Sequence, residues 1–237
     1  MRARSSVVCD SGGIARMYCE PPLSLRPTAD ALFVVGSAGG PIGGDDVALT
    51  ITVEAGGDLH LRSAAAQVVL PGPTGEPSRF RVEASVDSGA SLRMRLEPTV
   101  LARGCLHHSE TVINLANDAA LCLIETLVLG RHGEAAGAGT SRLRVLRGGQ
   151  PLIHHELDLH PSSIGTARVV GLAAVVEPRW VTESVPPAAR VSRAAWWLPA
   201  DGPGGVLLAL GSTVDDVESA IDAAPFASVR HVERNTP

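Results

Sequence analysis

The side chains of this sequence best suited to chemistry are two pairs of histidines and a few isolated carboxylates. The histidine pairs are His107-His108 and His154-His155, and imidazole is a good ligand for nickel, zinc and copper. Adjacent residues of a β-strand point to opposite faces of the sheet, so such a pair chelates one ion only outside regular strands. His107 and His108 follow Gly104 at a predicted turn, which makes them the candidate metal ligands.

The carboxylates form a second set of candidates, because we predict that they lie at turns or strand ends. Most acids in such positions are simply solvated. If several converged in the folded protein, their oxygens would form a path that passes a divalent ion and holds it weakly. The carboxylates concerned are Asp45, Glu97, Glu125 and Glu134.

No complete motif of a catalytic or nucleotide-binding site accompanies these side chains. The Gly-x-Ser-x-Gly elbow of hydrolases is absent, and His132-Gly133-Glu134 matches only half of the zinc deaminase signature, since Pro-Cys-x-x-Cys is missing. All 20 basic residues are arginine, which excludes a Schiff-base lysine and a Walker lysine. The sequence therefore predicts a protein that is not an enzyme.

Charge and composition further restrict the partners and the compartment. The formal charge is -5 and the arginines are scattered, so we expect no nucleic-acid partner. The four cysteines show neither CxxC spacing nor the density of a disulfide scaffold. Met1-Arg2-Ala3-Arg4 precedes no apolar signal segment, and no run approaches the roughly 18 apolar residues of a membrane span. We expect a cytoplasmic protein without a membrane anchor.

The elements that must position these side chains form a repeat that begins at Asp46. Each unit has an alternating strand, a small-residue turn and a second alternating strand. Such a unit buries its apolar face only by stacking on its neighbours. The predicted units are approximately 46–75, 78–106 and 109–134.

The turns of the units lie at Gly56, Gly89 and Asp118, which are 33 and then 29 residues apart. We therefore predict a mainly β protein of two stacked β layers with β-helical, solenoid-like character. A β-sandwich of ordinary topology fits the pattern almost as well. Further strands and one or two short helices are predicted within 141–225, and the whole chain, 1–237, is predicted to be a single domain.

A glycine-rich segment, Gly39-Gly40-Pro41-Ile42-Gly43-Gly44-Asp45, stands directly before the first repeat. Glycines at this density allow positive φ and close backbone approach, so the segment predicts a tight turn. It is not a phosphate-binding P-loop, because no Gly-Lys-[Ser/Thr] follows.

This segment resembles the GG-x-x-GGD stretch of the urease accessory proteins called UreD, or UreH in some organisms. Three further segments are similar to motifs of that family, and they occur in the same order over roughly residues 30 to 225. They are Glu54 to Leu59, Glu97 to Leu101, and Gly130-Arg131 with Gly133-Glu134. The loss of aromatic and basic residues after Gln67 is typical of a divergent, actinobacterial member.

The resemblance implies a non-enzymatic maturation factor, a scaffold that binds apo-urease and supports nickel delivery with the helical protein UreF and the GTPase UreG. Nickel would be in transit, and GTP would belong to the partner. Some residues are candidates for lining the nickel path or a partner surface, and the glycines among them could equally serve only turn geometry. The candidates are Gly39, Gly40, Gly43, Gly44, Asp45, Glu97, Gly130, Arg131 and Glu134.

Two other readings remain open at this point. One is a stand-alone metal- or ligand-binding β module that is unrelated to urease. The other is a β-helical enzyme acting on carbohydrate, which the aromatic content of 3% disfavours because sugars stack on aromatic rings.

Overall fold

The computed structural model describes residues 1–226, which fold mainly into β-strands. One α-helix, α1 (Val214–Asp222), follows the last strand, and a short 3-10 helix spans Pro178–Val181. The last part of the predicted domain, 227–237, lies outside the described residues. The strands are β1 (Arg2–Asp10), β2 (Gly13–Tyr18), β3 (Leu23–Pro27), β4 (Leu32–Gly36), β5 (Asp46–Val53), β6 (Asp58–Ser63), β7 (Gln67–Val69), β8 (Ser78–Val86), β9 (Ser91–Arg95), β10 (Thr99–Leu101), β11 (Leu106–Leu115), β12 (Ala120–Leu129), β13 (Ala138–Arg147), β14 (Gln150–Asp158), β15 (Val169–Val176), β16 (Ala189–Ser192), β17 (Ala195–Pro199) and β18 (Gly204–Gly211).

The strands form two sheets that face each other. The first sheet has the order β14-β13-β11-β8-β5-β1-β2. The second has the order β16-β17-β18-β15-β12-β9-β6-β4-β3, and β10 and β7 join it beside β12. Successive units thus send their first strand to one sheet and their second strand to the other, which is the solenoid-like arrangement that the repeat predicts.

The register between neighbouring strands reproduces the turn spacing of the sequence. Val53 pairs with Val86 and Val86 pairs with Leu115, so equivalent positions are 33 and 29 residues apart. The turns stack as well, because the Gly56 amide donates to the Ser88 carbonyl over 3.1 Å. The predicted mainly β fold with two stacked layers is confirmed.

Four strands precede the first predicted repeat, and the sequence pattern did not reveal them. β1 adds to β5 in parallel, and β2 turns back to pair with β1. The inward positions of β1 include Ala3, Ser5 and Cys9, which are small and buried, so the strand lacks the alternation of large apolar residues seen in the repeats.

Most of the core lies between the sheets, where the inward residues of both layers are apolar at the turn end. Val53, Ile113 and Leu121 are at most 1% exposed there. A second core lies on the outer side of the second sheet, under α1. Trp197 is fully buried in it, and its ring contacts those of Trp180 and Phe226.

The predicted C-terminal helix begins where its polar residues indicate. Thr213 accepts a hydrogen bond from the Asp216 amide, and the Asp216 carboxylate accepts one from the Thr213 amide, which completes a capping box. The helix packs Val217 and Ile221 onto the sheet. Among the described residues, no helix has the length and the apolar run that crossing a membrane requires.

Candidate functional site

The second sheet is interrupted at one level, and this interruption organises the candidate site. Residues 64–66 separate β6 from β7, and residues 96–98 separate β9 from β10. β12 continues past both breaks, pairing first with β9 as far as Ile124 and then with β10 from Leu127. We call this break the sheet gap; it lies beside Glu125 and Thr126.

A surface groove of about 450 Å³ lies over the sheet gap. Its walls include Gly39 and Gly40 of the glycine-rich segment, Ala65 of the first break and Glu97 of the second. Three of the candidates from the sequence, Gly39, Gly40 and Glu97, are therefore brought together, although they are up to 58 residues apart in the chain. Small residues and an exposed carboxylate make the groove open and weakly acidic.

Beneath the gap, a cavity of about 40 Å³ lies between the two sheets. This volume is sufficient for one or a few water molecules. Its lining combines apolar side chains with polar ones. Four residues line both the groove and the cavity, so little more than their side chains separates the two. They are Phe80, Leu96, Glu97 and Thr99.

The polar side of the cavity centres on Glu125. Its carboxylate accepts hydrogen bonds from Ser141 Oγ over 2.7 Å and from Ser109 Oγ over 3.3 Å. Burial raises the pKa of Glu125, and the two serine hydroxyls act in the opposite direction. The prediction that Glu125 lies at a strand end is wrong: it sits in the middle of β12, because that strand continues across the sheet gap.

The predicted turn at His107-His108 is also wrong, because both residues belong to β11. His107 points inward, lines the cavity and shares a 2.8 Å hydrogen bond between its Nδ1 and Ser78 Oγ. Burial, and then the neighbouring His108, lower the pKa of His107 to about 4. His108 points outward, where its Nδ1 lies 2.8 Å from Thr140 Oγ1. The pair therefore cannot chelate one ion.

Asp45 ties the glycine-rich segment to the N-terminus and lies outside both the groove and the cavity. Its carboxylate accepts the Ile42 amide over 2.9 Å and pairs with the Met1 ammonium over 2.7 Å. Gly43 packs so closely on Gly72 that a β-carbon would lie 2.5 Å from the Gly72 nitrogen. Gly44 has a φ of +92°, which favours glycine.

The remaining candidates form a separate loop after β12. Gly130 has a φ of +82°, and its amide donates to the Leu101 carbonyl over 2.9 Å. The Arg131 guanidinium donates two hydrogen bonds, of 2.8 and 2.9 Å, to the Glu134 carboxylate. The guanidinium lowers the pKa of Glu134 to about 2. These residues stabilise their own loop, and they line neither the groove nor the cavity.

The donor atoms at the cavity are suited to weak binding of a cation. Within residues 1–226, no group of three or more His, Cys, Asp or Glu side chains is arranged to hold a metal ion. The cavity offers the Glu125 carboxyl group, hydroxyl groups and the His107 imidazole, whereas thiolates and clustered imidazoles would bind nickel or zinc far more tightly.

Sequence reasoning named Glu125 only as one of four carboxylates at turns or strand ends, and it did not identify the two serines that bind its carboxylate, Ser109 and Ser141. A signal was present in the strand pattern. Glu125 is in phase with Leu123 and Leu127, so the alternation of β12 places a carboxylate on the inward, apolar side.

Comparisons with known proteins all indicate the same family. A family model described as UreD urease accessory protein matches residues 7–231. The protein named urease accessory protein UreD of Parafrankia sp. (strain EAN1pec) is 36% identical over 258 aligned residues, which cover 94% of this chain and 86% of that protein. The protein of the same name from Frankia alni is 40% identical, with coverages of 75% and 67%. The one from Streptomyces coelicolor is 34% identical, with both coverages at 86%.

Proposed function

The chain belongs to the UreD family of urease accessory proteins, and we propose that it is a urease maturation factor that passes nickel through its interior. In this proposal it is a non-catalytic scaffold in the cytoplasm that binds apo-urease. With UreF and the GTPase UreG, it supports nickel delivery and assembly of the urease metallocentre. Nickel is cargo rather than a permanent cofactor, and the partner consumes GTP.

The observation that carries this proposal is the polar cavity beneath the sheet gap. A β-sandwich interior is expected to be apolar throughout, as it is at the turn end of this one. This cavity instead holds a carboxyl group that accepts hydrogen bonds from two serines and has room for water beside it. Burying such a polar group costs folding free energy, which favours a functional reason for its presence.

The chemistry of the cavity fits the transit of a divalent cation. Because burial raises the pKa of Glu125, the empty cavity favours the neutral acid and avoids a buried negative charge. An arriving cation favours the ionised carboxylate, which then supplies an oxygen ligand. A site with only a few oxygen ligands binds nickel less tightly than a site of imidazole or thiolate groups does. The ion can therefore leave again.

The groove supports the same proposal at the surface. Glu97 is exposed and lines both the groove and the cavity, so its carboxylate stands where a cation would enter or leave. Gly39 and Gly40 also line the groove and add no side chains to it. Asp45 and Glu134, in contrast, are engaged in stabilising their own segments and are not needed for the path.

The test is to express the cognate urease genes with the wild-type chain, without it, with Glu125→Gln and with Glu110→Gln. Glu110 is the matched control, because it lies on β11 of the facing sheet, next to Ser109, and its carboxylate pairs with Arg81 and Arg144 on the outer face. Nickel per urease active site and urea hydrolysis are measured together. We expect nickel-poor, inactive urease without the chain, reduced loading with Glu125→Gln, and normal loading with Glu110→Gln.

Unchanged nickel loading without the chain would contradict the maturation role. Equal loading with the two glutamine variants would place the path elsewhere in the scaffold. Tight binding of nickel by the isolated chain, with no effect on urease, would favour the alternative of a stand-alone metal-binding β module.

A further inference from the structure

His107 is a buried imidazole to which the proposed path assigns no role. It is 2% exposed and lies on the inward side of β11. Its Nδ1 lies 2.8 Å from Ser78 Oγ, so Nε2 is the nitrogen left to face the cavity that the residue lines. Within residues 1–226, no protein group forms a hydrogen bond with Nε2, and the atom is not fully enclosed as the unpartnered Nδ1 of His155 is. A polar atom in this situation points to a bound water or ion.

Ser78 favours the tautomer of His107 that leaves a lone pair facing the cavity. The Ser78 hydroxyl lies 3.5 Å from the Leu106 carbonyl, which can only accept a hydrogen bond. When the hydroxyl donates to this carbonyl, its oxygen accepts from the Nδ1–H group of His107. The lone pair of the ring then lies on Nε2. Histidines that ligate metals are held in the same way, by a hydrogen bond from the other ring nitrogen to a neighbouring acceptor.

The carboxyl group of Glu125 lies on the same cavity. Ser109, which donates to Glu125 over 3.3 Å, is the next inward residue after His107 on β11. Successive inward positions of a strand are about 7 Å apart. His107 and Glu125 therefore flank one small space, in which an ion would meet one nitrogen ligand and one oxygen ligand.

This pair of ligands distinguishes nickel from magnesium. Imidazole suits nickel, whereas magnesium is bound mainly by carboxylates, carbonyl groups and water. The cavity of about 40 Å³ holds an ion with only one or a few of its waters. An entering ion must therefore exchange waters for protein ligands, which magnesium does reluctantly. One imidazole compensates nickel for this loss, and a single imidazole is too few to trap the ion.

We propose that His107 selects nickel over magnesium in the cavity by ligating the ion through Nε2 as it passes Glu125. This role rests on the proposed function, which makes a divalent cation the cargo. The two ligands have different tasks: Glu125 supplies the charge that attracts any divalent cation, and His107 supplies the preference among them. Among the residues that line the cavity, His107 is the only one with an imidazole, and none has a thiol.

The test follows the cavity-lining methyl groups of Leu123 and Leu143 by NMR in the purified full chain. Nickel chloride is added first, because paramagnetic Ni²⁺ broadens the signals of nearby nuclei, and magnesium chloride is then added to displace it. Nickel held by exposed histidines leaves these methyl signals sharp. The variant is His107→Asn, whose amide can keep a hydrogen bond with Ser78 and lacks Nε2. The matched control is His108→Asn, the same change on the outer face of the same strand.

We expect His107→Asn to raise the Kd for nickel about tenfold and to change the Kd for magnesium, obtained from the displacement, by less than about twofold. His108→Asn should leave both values unchanged, and Glu125→Gln should weaken the binding of both metals. Thermal melting shows whether each variant folds. Ser78→Ala is a second variant that keeps the ring and removes the hydroxyl that orients it, so it should also weaken nickel selectively.

Equal nickel binding by His107→Asn and His108→Asn would overturn the proposal, as would nickel that leaves the cavity methyl signals of the wild-type chain sharp. A parallel loss of nickel and magnesium binding with His107→Asn would also overturn it, because the ring would then only support the cavity. Nickel loading of urease with and without the wild-type chain is recorded in parallel. If loading requires the chain and the cavity binds nickel equally without His107, only this inference fails, whereas normal loading without the chain refutes the proposed function itself.

Discussion

Replacing Gly43 by alanine tests whether the glycine-rich segment is determined by close backbone packing. A β-carbon on Gly43 would lie 2.5 Å from the Gly72 nitrogen and 2.6 Å from the Glu76 carbonyl oxygen. Both neighbours are backbone atoms, which cannot rotate away as the end of a side chain can. The two loops must therefore move apart by most of an ångström.

The cost follows from what this movement disturbs. Overpacking of this kind costs about 1–3 kcal/mol. The hydrogen bonds from the Gly43 amide to Leu70, 3.1 Å, and from the Gly44 amide to Pro77, 3.3 Å, bridge the same two segments. Weakening them adds about 1 kcal/mol. We expect Gly43→Ala to lower the free energy of unfolding by about 2–4 kcal/mol, and Tm by roughly 5–15 °C.

Urea unfolding followed by circular dichroism, with thermal melting as a second measurement, gives these values. Gly39→Ala is the matched control, because no heavy atom lies within 4 Å of the position of its β-carbon. We expect that control to change the free energy of unfolding by less than about 0.5 kcal/mol. Equal stability of the two variants would refute the argument that contact with Gly72 fixes glycine at position 43.

Three further substitutions test other parts of the structure. Because burial raises the pKa of Glu125, the folded state holds this proton more tightly, and the contribution of Glu125 to wild-type stability falls as pH rises from 4.5 through the raised pKa. Glu125→Gln lacks this loss and should gain stability relative to wild type between pH 4 and pH 7 in urea unfolding; a constant difference would contradict the assignment. Thr213→Ala removes the cap of α1 and should cost about 1 kcal/mol in the same assay, with an unchanged value arguing against the capping box. Arg131→Gln should lower the melting temperature by no more than about 4 °C, since its side chain is 58% exposed and an exposed ion pair contributes little to stability; a larger drop would contradict this small contribution.

Much of the fold could be predicted from the sequence because its repeats carry local signals. Alternation of apolar and polar residues indicated the strands of the three units, and the turn spacing anticipated the register of 33 and 29 residues. The capped helix near Thr213 was equally readable. β1 escaped prediction because its inward residues are small, and β2 because no residue of it is buried.

The candidate site was predictable only in part. Gly39, Gly40 and Glu97 belong to the groove, but Asp45 and Glu134 proved to be tied to the Met1 ammonium and to Arg131. The spacing of these residues along the chain does not indicate which of them lie close together in the folded protein. The family motifs contain positions that the fold needs as well as one, Glu97, that lines the groove and the cavity.

The sequence by itself determined the strands, the turns, the stacking of units and the family, because these follow from periodicity and from residue types at short range. Only the tertiary structure decided where the sheet is interrupted, which way His107 and Glu125 point, and that two serines from β11 and β13 meet the same carboxylate. Those outcomes depend on contacts between strands that are distant in the chain. The packing of two sheets, rather than any local pattern, turns separate polar residues into a cavity.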